Sequence, residues 1–61
     1  MRFAVTVTTR FVDRERAPET AVVTVEAADA MAAREIAVHG AATAEGVMYA
    51  VTNGLQPAEV E

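Results

Sequence analysis

The stretch VTVEAADAMAAREIAVHG, from Val23 to Gly40, changes its periodicity midway. Its first residues alternate apolar and polar side chains, as a β-strand with one buried face does. Beyond Asp29, apolar residues recur every three or four positions, as they do on one face of a helix. The stretch therefore predicts a strand over residues 20–27 that leads into a helix over residues 29–39. Asp29 is the predicted N-cap, and Gly40 the left-handed C′ residue that ends the helix.

The residues on either side of this stretch predict further strands. Residues 2–12 alternate strictly and are rich in β-branched side chains, which is typical of a strand. The charged segment 13–19 is too polar to be buried and predicts the loop of a β-hairpin. Residues 47–52 predict a third strand. The tail, residues 53–61, is compatible with either a short edge strand or a frayed end, because Pro57 fits only at an edge or beyond the sheet.

Together these elements predict an α+β fold made of one β-β-α-β domain that spans residues 1–61. A hairpin followed by a right-handed helical crossover places the third strand beside the first. We therefore expect a three-stranded sheet in the order 2-1-3, with one helix on one face and a possible short fourth edge strand at the C-terminus.

Alternation and helical phase also predict which side chains form the core. The sheet residues expected to face the helix are Phe3, Val5, Val7, Thr9, Phe11, Val23, Val25, Val47, Tyr49 and Val51. The helix stripe expected to pack on them is Ala33, Ile36, Ala37 and Gly40. One helix covers one sheet face only, so the opposite face is expected to be exposed.

Two surfaces outside this core are candidate interfaces. The uncovered sheet face is expected to carry Thr6, Thr8, Val22 and Met48, and the outer side of the helix is expected to carry Met31 and Val38. Both are equally compatible with ordinary solvated surface. If they are contact patches, charged substitutions at Met31 and Val38 are expected to break an assembly without unfolding the monomer.

The composition argues against several classes of function. With 61 residues, no cysteine and one histidine, the chain has no disulfides, no thiolate metal site and no cysteine nucleophile. Its nine acidic residues lack the spacing of a metal loop or a catalytic pair, and His39 has an adequate structural reason to lie near a helix C-terminus. We therefore expect no enzymatic activity and no cofactor. A chain this short is marginally stable alone, so self-association is expected.

The charge and hydropathy of the chain bear on its location. A net charge of −4 disfavours broad contact with nucleic acid or anionic lipid. No apolar run reaches the length of about 20 residues that a membrane span needs, and the N-terminus alternates instead of forming a signal-peptide block. The expected location is the cytoplasm, with no membrane association.

Two other functions remain open at this point. The arginines of the first strand and its hairpin, Arg2, Arg10, Arg14 and Arg16, cluster in the sequence and could contact nucleic acid as a small regulator. Asp13, Glu15 and Glu19 nearly cancel their charge. A ligand-sensing domain that pairs β-α-β units across a dimer is a third hypothesis, for which no pocket residue can be named.

The segment VTVEAADAMAAREIA, residues 23–37, resembles small β-β-α-β proteins of unknown function from actinobacteria and their phages. The resemblance rests on a strand that leads through Ala27 and Asp29 into the segment that contains Ala33 and Ala37. The resemblance implies a compact accessory protein and brings no catalytic residues. The function expected is therefore a non-enzymatic accessory protein that binds itself as a homo-oligomer, or another protein, or both.

Overall fold

The computed structural model of the protein describes residues 1–54 and 56–60. Its elements follow the predicted order, with strands β1 (Arg2–Phe11) and β2 (Glu19–Glu26), helix α1 (Ala30–Ala42), and strands β3 (Val47–Thr52) and β4 (Ala58–Val60). The sheet order is β2-β1-β3, and β4 also pairs with β1. The predicted α+β class, the strand order and the fourth edge strand are all confirmed. Of the predicted tail, Leu55 and Glu61 lie outside the described residues.

The long strand β1 organises the sheet because every other strand pairs with it, and every pairing is antiparallel. On one side β2 follows it from Arg2 to Thr9 without a break. On the other side β3 pairs with residues 7–11 and β4 with residues 2–4. Strands β3 and β4 thus run in the same direction, one after the other along the same edge. Asn-Gly is a common hairpin-turn sequence, but Asn53-Gly54 does not reverse the chain here.

Helix α1 begins where the sequence predicts it and ends later. The Asp29 carboxylate accepts a hydrogen bond from the Ala32 N–H at 2.8 Å, as an N-cap does. The predicted end at Gly40 is wrong, because the helix continues to Ala42 and is capped by Thr43, whose N–H donates to backbone carbonyls of the last turn. The glycines with left-handed φ are Gly46 and Gly54, both in loops.

The buried core of the described chain is small. It consists of Phe3, Val5, Val7, Ala33, Ala37 and Ala50. Three of these six side chains are alanine, so the helix lies close on the sheet but buries little apolar area. A core of this size gives marginal stability, as the chain length alone suggests.

The phase of α1 differs from the prediction. Ala33 and Ala37 face the sheet as expected, but Ile36 is 48% exposed and Gly40 is exposed. Val38, predicted to point away from the core, is partly buried and packs against it. The apolar stripe that contacts the sheet is therefore rotated slightly, because the helix carries alanine on several sides and its pattern does not fix one face strongly.

The third strand contains the main departure from the predicted core. Arg10 pairs with Tyr49, but the next residue, Phe11, pairs with Val47, so that Met48 forms a β-bulge. The extra residue inverts the alternation beyond it. Ala50, which the predicted alternation would direct outwards, is 8% exposed in the core, whereas Tyr49 and Val51, predicted to be core residues, are exposed.

Candidate functional site

The sheet face opposite α1 is left uncovered by the fold. Directly paired residues of neighbouring strands point to the same face, so the β1 residues of even number and their partners define this surface. We call it the open face; it comprises Arg2, Ala4, Thr6, Thr8, Arg10, Thr20, Val22, Thr24, Glu26, Tyr49, Val51, Ala58 and Val60. Its two ends are charged, and its middle is apolar or threonine.

The middle of the open face places exposed apolar side chains on both sides of a threonine row. Val22 is 66% exposed and lies beside Thr6, while Val51 is 47% exposed and lies beside Thr8. The Thr8 and Thr20 hydroxyls are 3.0 Å apart and hydrogen-bond to each other. Because these two hydroxyls already hydrogen-bond to each other, removing them from water when a partner covers the surface costs less free energy.

The charged ends of the open face are Arg2 with Glu26 at one end and Arg10 with Tyr49 at the other. A polar rim around an apolar centre is the arrangement found in protein–protein interfaces. Of the residues predicted for this surface, Thr6, Thr8 and Val22 lie on it. Met48 is exposed but sits in the bulge, and the sequence pattern missed Tyr49, Val51 and Val60.

A second surface is a groove along one edge of α1, with a volume of about 600 Å³. This helix-edge groove is lined by Met31, Arg34, Glu35, Val38, His39, Ala42 and Thr52. Arg34 closes one side by donating from its Nη2 to the Thr52 Oγ1 at 3.2 Å. Met31 is well exposed, as predicted, whereas Val38 forms part of the groove wall from its partly buried position.

A third surface lies beside the β1–β2 hairpin. This hairpin hollow, of about 300 Å³, is lined by Arg10, Phe11, Asp13, Arg14, Arg16, Pro18, Met48 and Tyr49. It brings together three of the four arginines that the sequence singled out. Arg2 is not among them, because it lies eight strand positions from Arg10, at about 3.3 Å per position.

Arg16, in the hairpin loop, already contacts two other side chains. The Arg16 guanidinium carbon lies 3.6 Å from the centroid of the Phe11 ring, a cation–π contact. The same guanidinium is 3.4 Å from the Glu19 carboxylate. Arg16 therefore stabilises the loop locally, and the cations of the hollow that make no such described contact are Arg10 and Arg14.

The described residues contain no group of three or more histidine, aspartate or glutamate side chains placed to hold a metal ion. In the same part of the chain, no helix is both long enough and apolar enough to cross a membrane. His39 is exposed on the last turn of α1, where it lines the helix-edge groove.

Comparison with protein-family models, with curated proteins and with solved structures found no match. The resemblance to small actinobacterial and phage proteins therefore stays a prediction. What the structure does establish is the β-β-α-β order on which that resemblance rests.

Proposed function

We propose that the protein is a non-enzymatic accessory protein that acts through protein–protein contact and assembles with copies of itself. The observation that carries this proposal is the open face, whose centre exposes Val22 and Val51 beside a threonine row. Exposed apolar side chains grouped on one face are typical of protein–protein contact sites.

The total surface of the chain is larger than its mass alone predicts. Its accessible surface is 4392 Å². A compact monomer of 6.4 kDa is expected to expose about 3,800 Å². The chain thus exposes roughly 600 Å² more than the size scaling gives, and an interface of standard size covers about 800 Å² per partner. Two copies stacked through their open faces would cover that area and join two sheets as a sandwich.

The stacked arrangement is compatible with the chemistry of the open face. When the two sheets pack with β1 antiparallel about Thr6, Val51 approaches Ala58 of the other copy and Tyr49 approaches Val60. Arg2 and Arg10 remain at the rim, where water screens them. The apolar residues on the two sides of β1 thereby cover one another.

The test is the substitution Val51→Glu, with Val12→Glu as the matched control. Full burial of a valine contributes about 1.7 kcal/mol. With Val51 47% exposed in the monomer, covering it contributes about 0.8 kcal/mol per copy and about 1.6 kcal/mol per symmetric dimer. Losing this term weakens dimerisation about fifteenfold, and the buried carboxylate adds to that loss. Val12 is 62% exposed outside the open face, so the same change there leaves the dissociation constant unaltered.

Sedimentation equilibrium measures the dissociation constants, and tyrosine fluorescence supplies a second readout. Tyr49 is the only tyrosine, and the chain has no tryptophan. Quenching by acrylamide therefore reports on the open face, and we expect it to fall as protein concentration rises. A wild-type protein that stays monomeric up to about 1 mM, where affinity is already negligible, would overturn the proposal. So would an assembly broken by Met31→Glu but not by Val51→Glu, since the contact would then be the helix-edge groove.

A second candidate function is contact with nucleic acid, and the observation that favours it is the hairpin hollow. Arg10 and Arg14 lie there beside the exposed Tyr49 ring, which combines phosphate-binding cations with a stacking surface. The test is a mobility shift with single-stranded oligonucleotides at about 50 mM salt, where such contacts are strongest. Binding that is lost in Arg14→Gln but kept in Arg2→Gln supports this candidate, and the absence of any shift removes it.

A further inference from the structure

The two outer edges of the sheet differ in how they are protected. The edge formed by β3 and β4 is interrupted by the Met48 bulge and by the connection between the two strands, which contains Pro57. Such features hinder pairing with another chain. Strand β2, at the opposite edge, has eight residues in unbroken register with β1 and contains no proline, bulge or lysine. No strand of the described chain pairs with its outer side.

The hydrogen bonds of β2 show which of its main-chain groups face outwards. The Ala27 N–H donates to the Met1 carbonyl at 2.9 Å, next to the end of the ladder. Because antiparallel strands alternate between bonded and non-bonded pairs, β2 residues of odd number direct their N–H and C=O groups to β1. The residues of even number, Thr20, Val22, Thr24 and Glu26, direct theirs away from the sheet.

We propose that β2 pairs in antiparallel fashion with β2 of a second copy, centred on Val23, and joins two sheets into one. In this register Thr20 lies opposite the partner's Glu26, and Val22 lies opposite the partner's Thr24. Each outward N–H and C=O then has a partner, giving roughly eight hydrogen bonds. No glutamate faces a glutamate, so like charges are not opposed.

The centre at Val23 follows from the outward groups. Shifting the two-fold axis to Val22 would place Glu26 opposite the partner's Pro18, which has no N–H to donate. Shifting it to Thr24 would leave Thr20 without an opposite residue in the partner's strand. The register centred on Val23 alone engages all four outward-facing residues of β2.

A second copy is the occupant that the rest of the molecule favours. The buried core has six residues, and the chain exposes more surface than is expected of a compact monomer of its mass. Edge pairing gives the half-buried Val23 and Val25 side chains a neighbouring strand on the helix side of the sheet. It leaves the open face free, so this contact is separate from the stacked contact and can coexist with it in a tetramer.

Single cysteines test the register directly, because the natural chain has none. At the two-fold axis, Val23 and its partner copy form a non-bonded pair with Cα atoms about 4.5 Å apart, within disulfide range. We expect Val23→Cys to form an interchain disulfide readily under mild oxidation, and Val12→Cys to form little. Efficient cross-linking at Val22→Cys instead of Val23→Cys would overturn the register. A protein that dimerises while Val23→Cys forms no interchain disulfide would overturn edge pairing.

Amide exchange and a proline variant provide the second test. If β2 pairs as proposed, the amides of Thr20, Val22, Thr24 and Glu26 become protected as protein concentration rises. Thr24→Pro removes one outward donor and leaves the bonds to β1 intact, so its dimer should dissociate at least tenfold more readily. Thr24→Ala keeps the donor and should stay within threefold of wild type. Retained protection of the odd-numbered amides shows that Thr24→Pro is folded.

Three results would overturn the edge pairing. The first is rapid exchange of the outward amides at every concentration, which would mean that the edge is free. The second is equal dimerisation of Thr24→Pro and Thr24→Ala. The third is protection that requires a different protein and not a second copy. Loss of the concentration-dependent change in Tyr49 quenching in Val51→Glu, with the β2 amides still protected in a concentration-dependent way, would separate the two contacts and leave edge pairing intact.

Discussion

Val5→Ala is expected to remove a large share of the stability of the monomer. Val5 is 2% exposed and is the largest fully buried side chain of the described residues. It lies on β1 opposite Val23, in the layer that α1 covers. The truncation deletes two carbon atoms from a site enclosed by the central strand and the helix, where the surroundings cannot easily close the gap.

The magnitude follows from transfer and cavity terms. Two buried carbons contribute about 1.6 kcal/mol by transfer alone, and a residual cavity raises the cost to about 2–3 kcal/mol. A chain of 61 residues has a total free energy of unfolding of about 3–9 kcal/mol. Since 1 kcal/mol shifts the melting temperature of a domain this small by about 4–8 °C, Val5→Ala should melt roughly 10–20 °C below wild type.

Urea unfolding followed by circular dichroism measures this change, with Val12→Ala as the control. Val12 is exposed, so its truncation should alter the free energy of unfolding by less than about 0.5 kcal/mol. All samples are compared at one protein concentration, because self-association adds to the apparent stability. A Val5→Ala variant within about 0.5 kcal/mol of wild type, with an unchanged m-value, would refute the proposed position of Val5 in the core.

The remaining predictions concern α1, its N-cap and the loop after it. Gly40→Ala should raise the free energy of unfolding by about 0.5–1 kcal/mol in thermal melts, because Gly40 is inside the helix and a Cβ added there would meet only open space. Gly46→Ala should instead lower it by about 1 kcal/mol, since φ is +81° there; equal effects at the two glycines would contradict the helix boundary. Asp29→Ala should cost about 1 kcal/mol in urea unfolding, and Asp29→Asn much less, because the asparagine oxygen still accepts the cap bond. Ala33→Leu should cost about 1–3 kcal/mol by overpacking a site with 0% exposure, and a neutral result would show that the helix can move off the sheet.

The sequence predicts the fold well where its pattern combines apolar and polar residues. In β1, threonine and arginine separate the valines, so alternation identifies Phe3, Val5 and Val7 as core residues, as observed. Asp29 is equally predictable, since its short carboxylate follows a strand and precedes an alanine-rich segment. These positions have one physically favourable arrangement, and the sequence pattern indicates it directly.

The pattern fails where neighbouring residues are all apolar. In β3, residues 47–51 are uniformly hydrophobic, so nothing in their polarity indicates which of them face the helix. A bulge can then invert the alternation without burying a charged or strongly polar side chain. Thr52 is the one signal available, because its hydroxyl accepts from Arg34 on the helix side. The same ambiguity affects α1. Alanine lies on several sides of this helix, so the pattern does not show whether Ile36 or Val38 faces the sheet.

The Met48 bulge links the weak core to the open face. Without the extra residue, the alternation of β3 would direct Tyr49 and Val51 towards α1 and Ala50 outwards. With it, the core receives an alanine, while a tyrosine and a valine become exposed. One inserted residue thus removes two large apolar side chains from the monomer core and places them on the surface proposed for self-association. If the chain assembles through this surface as proposed, assembly would supply stability that the monomer lacks and would couple folding to association.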